Sequence, residues 1–148
     1  MPRGYLTACL DDLLAWARRA SLWRATFFGA CCSAGACGED LATSLAPIEV
    51  APEGADLLVV VGAVTRKHAP LLAATYDRMP KPCWVVALGA CASAGGPFAG
   101  YGVLPGAASV VPVDVYVPGC PPAPSQIRKA MQSVRDSIGE RGLGLERS

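Results

Sequence analysis

The chain has 148 residues, of which 52% are hydrophobic and 17% are charged, and its formal net charge is +1. This length suits one domain with its own core, and the near-neutral charge argues against nucleic-acid binding, which usually requires a basic face. No apolar run reaches the roughly 18–20 residues of a transmembrane helix, and the N-terminus lacks a signal-peptide pattern. We therefore expect one domain over residues 1–148, with surplus apolar surface that faces partner proteins.

The first half of the chain predicts one helix and two strands around a cysteine-rich segment. Apolar residues at helical spacing predict an amphipathic helix over residues 1–22. Residues 25–29 predict a strand that leads into the adjacent Cys31 and Cys32. A short helix is expected over residues 40–45, and residues 48–51, between two prolines, predict an edge strand.

The second half of the chain alternates strands with helices more clearly. Residues 57–64 form an uncharged, β-branched run that is typical of a buried parallel strand. Thr65 is expected to cap a helix that extends to about Arg78. The residues expected on the inner face of that helix are Leu71, Leu72, Thr75 and Tyr76. Two further strands over 83–88 and 113–117, an amphipathic helix over 127–138 and a mobile tail over 139–148 complete the predicted elements.

This alternation predicts the fold class. Strands separated by helices favour an α/β domain, a parallel sheet flanked by helices and joined by right-handed crossovers. Ligands of such sheets lie beyond the carboxyl ends of the strands. Cys31, Cys32, Cys91 and Cys120 each follow shortly after a predicted strand. We therefore expect these four thiols to meet at one edge of the sheet.

Four cysteines in Gly- and Pro-rich loops indicate an iron–sulfur cluster. Such clusters are held by thiolates from segments that bend around a bulky core. Seven cysteines without an export signal argue against a disulfide framework. Zinc is the competing metal, but its sites usually have Cys pairs spaced by two to four residues. Adjacent cysteines suit a cluster better, because its corners can bind neighbouring thiolates.

The remaining cysteines and the single histidine have less specific interpretations. Cys9 and Cys83 are expected in the core, as is common for cysteine. Cys37 could replace a ligand or have no role. His68, the only histidine, is expected to be structural or exposed.

Three motifs together resemble one known family. They are the tandem Cys31-Cys32, GACASAGG over residues 89–96 and VDVYVPGCPP over residues 113–122. With the run from residue 56 to 122, they resemble the B subunit of NADH–quinone oxidoreductase (respiratory complex I), over roughly residues 23–136. Members of that family are related to the small subunits of energy-converting nickel–iron hydrogenases.

The resemblance implies a fold, a cofactor and a set of partners. It implies a flavodoxin-like fold and one [4Fe–4S] cluster, the terminal one, held by Cys31, Cys32, Cys91 and Cys120 and passing electrons toward quinone. The chain would be a subunit of a proton-translocating NADH:quinone oxidoreductase-like complex, inactive alone and peripheral on the cytoplasmic side of the cell membrane. Expected partners are a large catalytic subunit, an upstream ferredoxin-like iron–sulfur subunit and membrane-arm subunits.

Residues 33–56 depart from the family pattern, because this segment is short and contains Cys37. Two alternatives therefore stay open. One is the small subunit of an energy-converting nickel–iron hydrogenase, with a proximal [4Fe–4S] cluster. The other is a zinc-stabilised assembly module without redox function.

Overall fold

The computed structural model describes residues 10, 12–14, 16, 17, 20–28 and 48–141 of the chain. The strands in these residues are β1 (Trp23–Phe28), β2 (Ile48–Glu49), β3 (Leu57–Val61), β4 (Trp84–Leu88) and β5 (Val115–Val117). The α-helices with defined bounds are α1 (Ala69–Asp77), α2 (Ala90–Ala94) and α3 (Pro124–Arg141). Short 3₁₀ turns occupy Pro52–Gly54, Gly96–Phe98 and Ala107–Ser109.

The strands form one parallel sheet in the order β2-β1-β3-β4-β5. This is the strand order of flavodoxin-like folds, in which the chain starts near the middle of the sheet and reverses direction once. The predicted α/β class and parallel flavodoxin-like sheet are therefore confirmed. The edge positions of β2 and β5 agree with their shortness and with the prolines beside them.

The ends of four strands lie in one row across the sheet. Phe28 pairs with Val61, Val61 pairs with Leu88, and Leu88 pairs with Val117. Each of these residues is the last of its strand. The segments that follow the four strands therefore leave the sheet from the same level.

Two apolar layers cover the sheet, one on each face. On one face, alternate residues of β3 and β4 pack with five buried residues of α3: Ile127, Ala130, Met131, Val134 and Ile138. On the other face, the intervening residues of β3 and β4 pack with Leu72 of α1 and Ala92 of α2. All ten residues of β3 and β4 are buried, which explains why their sequences are continuously apolar rather than alternating.

The connection from β3 to α1 differs from its prediction. The strand ends at Val61 because Gly62 has a positive φ of 88°, and the helix begins at Ala69 rather than after Thr65. Thr65 instead forms an antiparallel bridge with Val103, and its hydroxyl accepts a hydrogen bond from the His68 N–H at 3.2 Å.

The predicted inner face of α1 is correct at two of its four positions, Leu72 and Tyr76, which both pack in or against the apolar core. Leu72 is fully buried, whereas Leu71 is 58% exposed. Thr75 and Tyr76 are half-buried, and the Thr75 hydroxyl donates to the Leu71 carbonyl at 2.8 Å. The helix is short and therefore needs only a narrow contact with the sheet.

The terminal segments are described only in part. Residues 10, 12–14, 16, 17 and 20 are helical, in agreement with the expected N-terminal helix. The large apolar side chains there are exposed: Leu10 58%, Leu13 59%, Leu14 43% and Trp16 66%. Helix α3 extends through Arg141, so residues 139–141 belong to it rather than to a tail, and 142–148 lie outside the described residues. None of the described helices is long and apolar enough to cross a membrane.

Asp114, the residue before the edge strand β5, is hydrogen-bonded to the backbone of β4. Its carboxylate accepts the Val85 N–H at 2.9 Å, and its own N–H donates to the Val85 carbonyl at 2.9 Å. The first bond satisfies a backbone group in a strand whose side chains are buried.

We expect Asp114→Ala to lower the free energy of unfolding by about 1–2 kcal/mol, because the Val85 N–H loses its acceptor. Asp114→Asn keeps an acceptor oxygen and should lose less. Urea unfolding of the purified subunit measures both. An unchanged stability of the alanine variant would contradict this role.

Candidate functional site

Three of the four predicted ligand positions have the same offset from the row of strand ends. Cys31, Cys91 and Cys120 each come three residues after the last residue of a strand, Phe28, Leu88 and Val117 respectively. Because those last residues are aligned in the sheet, the three chain segments start level with one another. Sequence spacing alone could not reveal this, since it depends on the exact strand ends.

Cys91 is held in a tight buried turn. It is 2% exposed and lies in α2, which corrects the expectation of an irregular loop. Gly89, with φ 94°, precedes this helix, and the N–H of Gly95 donates to the Cys91 carbonyl at 2.9 Å. Gly96 lies against the thiol: a Cβ added there would be 2.9 Å from the Cys91 Sγ. The missing side chain of Gly96 thus makes room beside this sulfur.

Cys120 follows β5 on the segment next to Cys91. The Gly89 N–H donates to the Val117 carbonyl at 2.8 Å, and the Ala90 N–H donates to the Gly119 carbonyl at 2.9 Å. The residues that immediately precede the two cysteines are therefore hydrogen-bonded to each other. Unlike Cys91, Cys120 is exposed. The Cys91 thiol thus lies in the protein core, whereas Cys120 lies at the surface.

Gly119 has its own steric reason to be glycine. Its φ is 141°, and an added Cβ would lie 2.4 Å from the Cα of Pro122. A side chain at this position would push apart the turn that carries Cys120.

The other predicted positions are separate from this pair or not described. Cys31, Cys32, Cys37 and Cys9, like the helix expected over 40–45, lie outside the described residues. Cys83 directly precedes β4, so it lies at the amino ends of the strands, opposite to Cys91 and Cys120. It is half-buried and packs against the core. In the part of the chain that the structure describes, no group of three or more His, Cys, Asp or Glu side chains could hold a metal ion. A metal site at this edge would therefore have two described thiols, those of Cys91 and Cys120, and would need further ligands.

Sequence reasoning missed a second feature of this edge. The segment after α2 folds back against the β3–α1 connection, where the Arg66 guanidinium lies 5.4 Å from the Tyr101 ring centroid. The signal available in the sequence was the pair of aromatic residues, Phe98 and Tyr101, within an otherwise small-residue stretch. His68, as expected, is exposed at the start of α1.

Comparison with known proteins places the chain in a family. The family model described as NADH ubiquinone oxidoreductase, 20 Kd subunit, matches residues 20–134. The B subunit of NADH-quinone oxidoreductase from Nocardia farcinica is 40% identical over 153 residues, covering 99% of this chain and 83% of that protein. The protein of the same name from Geotalea daltonii is 42% identical over 140 residues, covering 91% of this chain and 82% of that one.

A solved structure shows the same architecture. A chain from the structure of the membrane-bound sulfane sulfur reductase, an archaeal respiratory membrane complex, matches with a TM-score of 0.73 and 27% identity. The match covers 87% of this chain and 76% of that one. The fold therefore belongs to a class of subunits found in respiratory membrane complexes.

This chain belongs to the family of the NADH ubiquinone oxidoreductase 20 Kd subunit, whose bacterial members are named as the B subunit of NADH-quinone oxidoreductase. The resemblance seen in the motifs is thereby confirmed. The expectation that the chain is one component of a multisubunit oxidoreductase is confirmed with it.

We expect Gly96→Ala to destabilise the turn around Cys91. The new Cβ would contact the Cys91 Sγ, and the φ of 56° is unfavourable for alanine. The free energy of unfolding should fall by more than about 1 kcal/mol in urea titrations of the purified protein.

Gly102→Ala is the matched control, because a Cβ there would meet nothing within 4 Å. Equal stability of the two variants would contradict the close packing of Gly96 against the thiol.

Proposed function

We propose that this chain is the electron-transfer subunit of a complex I-like oxidoreductase and carries one [4Fe–4S] cluster on Cys31, Cys32, Cys91 and Cys120. The observation that carries the proposal is the aligned row of strand ends with cysteines at equal offsets beyond it. A row of this kind brings distant parts of the sequence to one place, which a cluster with four thiolate ligands requires.

The described residues fit such a cluster chemically. Cys91 and Cys120 offer thiolate sulfur, the ligand type of iron–sulfur centres, on two hydrogen-bonded segments. Gly89, Gly96 and Gly119 have positive φ values, which permit the tight turns that carry the two cysteines. Such a cluster supplies the redox chemistry, while the chain positions it and limits its contact with water.

The electron acceptor is proposed to be quinone, bound where this chain meets a larger catalytic subunit. The names of the relatives support quinone as the substrate of the complex. The solved structural neighbour comes from a sulfane sulfur reductase, so the fold also occurs in a complex named for another substrate. A nickel–iron site in the adjoining large subunit is the alternative acceptor. Cysteine pairs that bind nickel in that large subunit would favour it.

We further propose a peripheral position on the cytoplasmic side of the membrane, in contact with the large subunit, a ferredoxin-like donor and membrane-arm subunits. The structural neighbour is named as part of a respiratory membrane complex, which supports association with a membrane. The exposed apolar residues of the N-terminal helical segment, including Leu13 and Trp16, support contact with other subunits.

The ligand set is tested by serine substitution. Cys91→Ser and Cys120→Ser should each lose most of the bound iron, because serine does not replace a thiolate ligand of the cluster. Cys83→Ser is the control, since Cys83 lies at the other edge of the sheet. Iron is measured per chain after anaerobic purification, together with the EPR signal of the reduced protein. Equal iron in all three variants would refute the assignment.

The same purification separates the cluster from the zinc alternative. A brown protein with about four irons per chain and an EPR signal on reduction is the expected result for a [4Fe–4S] centre. Stoichiometric zinc without iron would instead identify a structural metal module.

The four cysteines that lie outside the described residues are tested separately. Cys31→Ser and Cys32→Ser should each lose iron, whereas Cys37→Ser should retain it and Cys9→Ser should be unaffected. Iron loss in Cys37→Ser with retention in Cys31→Ser or Cys32→Ser would move that ligand to Cys37.

A further inference from the structure

Two segments at the carboxyl edge of the sheet are fastened together into one surface. The β3–α1 connection meets the segment after α2 through the Thr65–Val103 bridge. This bridge consists of two backbone hydrogen bonds: the Arg66 N–H donates to the Gly102 carbonyl at 3.0 Å, and the Leu104 N–H donates to the Val64 carbonyl at 2.9 Å. The two bonds join the segments into one surface rather than two independent loops.

This surface displays aromatic and basic side chains to solvent. Tyr101 is 92% exposed and Phe98 is 56% exposed, and Arg66 and Lys67 are exposed beside them. We refer to these four residues as the Arg66–Tyr101 patch. Large aromatic side chains are costly to leave in water, and tyrosine and arginine are the residue types that most often anchor protein interfaces.

The patch is partly preorganised. The Arg66 guanidinium is 5.4 Å from the Tyr101 ring centroid, a cation–π geometry that restricts both side chains. A surface whose side chains are ordered before binding loses less entropy when a partner docks.

In the part of this edge that the structure describes, the charge around the patch has one sign. Between residues 57 and 113 the sequence contains a single carboxylate, Asp77. Asp77 is the last residue of α1, which returns to the opposite edge of the sheet, where the neighbouring Arg78 pairs with Glu53. The described carboxyl edge, over residues 62–68, 89–106 and 118–122, therefore carries Arg66 and Lys67 but no carboxylate.

We propose that the Arg66–Tyr101 patch is a docking surface for an acidic segment of another subunit of the complex. Opposite charge would orient the partner, and the two aromatic rings would supply the desolvated centre of the contact. A second copy of this chain fits poorly, because the same patch would bring like charges together. An anionic membrane surface also fits poorly, since lipid-binding sequences usually cluster about four to eight cations and this patch has two. The proposal does not depend on which cysteines bind iron.

Charge reversal in the purified complex tests the proposal. Affinity-tagged Arg66→Glu should recover about fivefold less of the contacting subunit at moderate salt, as expected when a like charge replaces an opposite one at an interface. Lys129→Glu, an equal charge reversal at an exposed position on α3, is the matched control. Iron per chain is measured in the same samples. A selective loss of the subunit with unchanged iron supports docking, whereas equal recovery from both variants overturns it.

Photo-cross-linking identifies the occupant directly. With p-benzoyl-phenylalanine at position 101, illumination of the intact complex should yield a cross-link to a peptide of another subunit that is rich in Asp and Glu. The same photo-reactive residue at Gln132, exposed on α3, controls for unspecific capture. A cross-link to lipid, to a second copy of this chain or to a peptide without carboxylates would overturn the proposal, as would no cross-link at all.

Discussion

The structure depends on one constraint, the register that aligns the last residues of β1, β3, β4 and β5. A shift of one residue along any of these strands would turn its side chains to the opposite face. It would therefore exchange the layer packed on α3 with the layer packed on α1 and α2. The same shift would also change the offset between the row of strand ends and the cysteine that follows the shifted strand. Core packing and the geometry of the candidate site are thus determined by the same backbone hydrogen bonds, so the stability of the sheet protects the arrangement of the site.

The two described thiols at this edge have different surroundings, because one is buried and the other is exposed. Cys91 is buried against Gly96, whereas Cys120 stands on the exposed segment after β5. A metal centre that spanned both would be enclosed by the protein on one side and open on the other. The patch around Tyr101 and the exposed Trp16 add further surface that is unusual for a free-standing protein. These features are consistent with the partner subunits expected for a component of a multisubunit complex.

The sequence predicted the sheet well because its signals are strong and local. The uncharged run around Val59 predicts a buried strand and the helical spacing around Met131 predicts a helix, and both elements are present with bounds a few residues from those expected. Boundaries set by backbone conformation were less accessible, as at Gly62, where a positive φ ends β3 early. The exposed Leu71 shows a second limit, since the sequence pattern cannot reveal how narrow a helix contact is. The equal offsets of the cysteines and the contact of Arg66 with Tyr101 depend on tertiary pairing, which no local pattern encodes.

The chemistry available at this edge constrains what the chain contributes to the complex. Reduction of a quinone consumes protons as well as electrons, and groups that titrate near neutral pH would have to supply them. Besides its thiols, glycines and prolines, the described carboxyl edge contains Arg66, Lys67, Tyr101 and His68, but no carboxylate. A carboxylic acid that donates protons in such a reaction would therefore have to come from a partner protein or from residues outside this described edge. This division is consistent with a fold that occurs in complexes named for different substrates, because the sheet edge can stay constant while the neighbouring surfaces determine the acceptor.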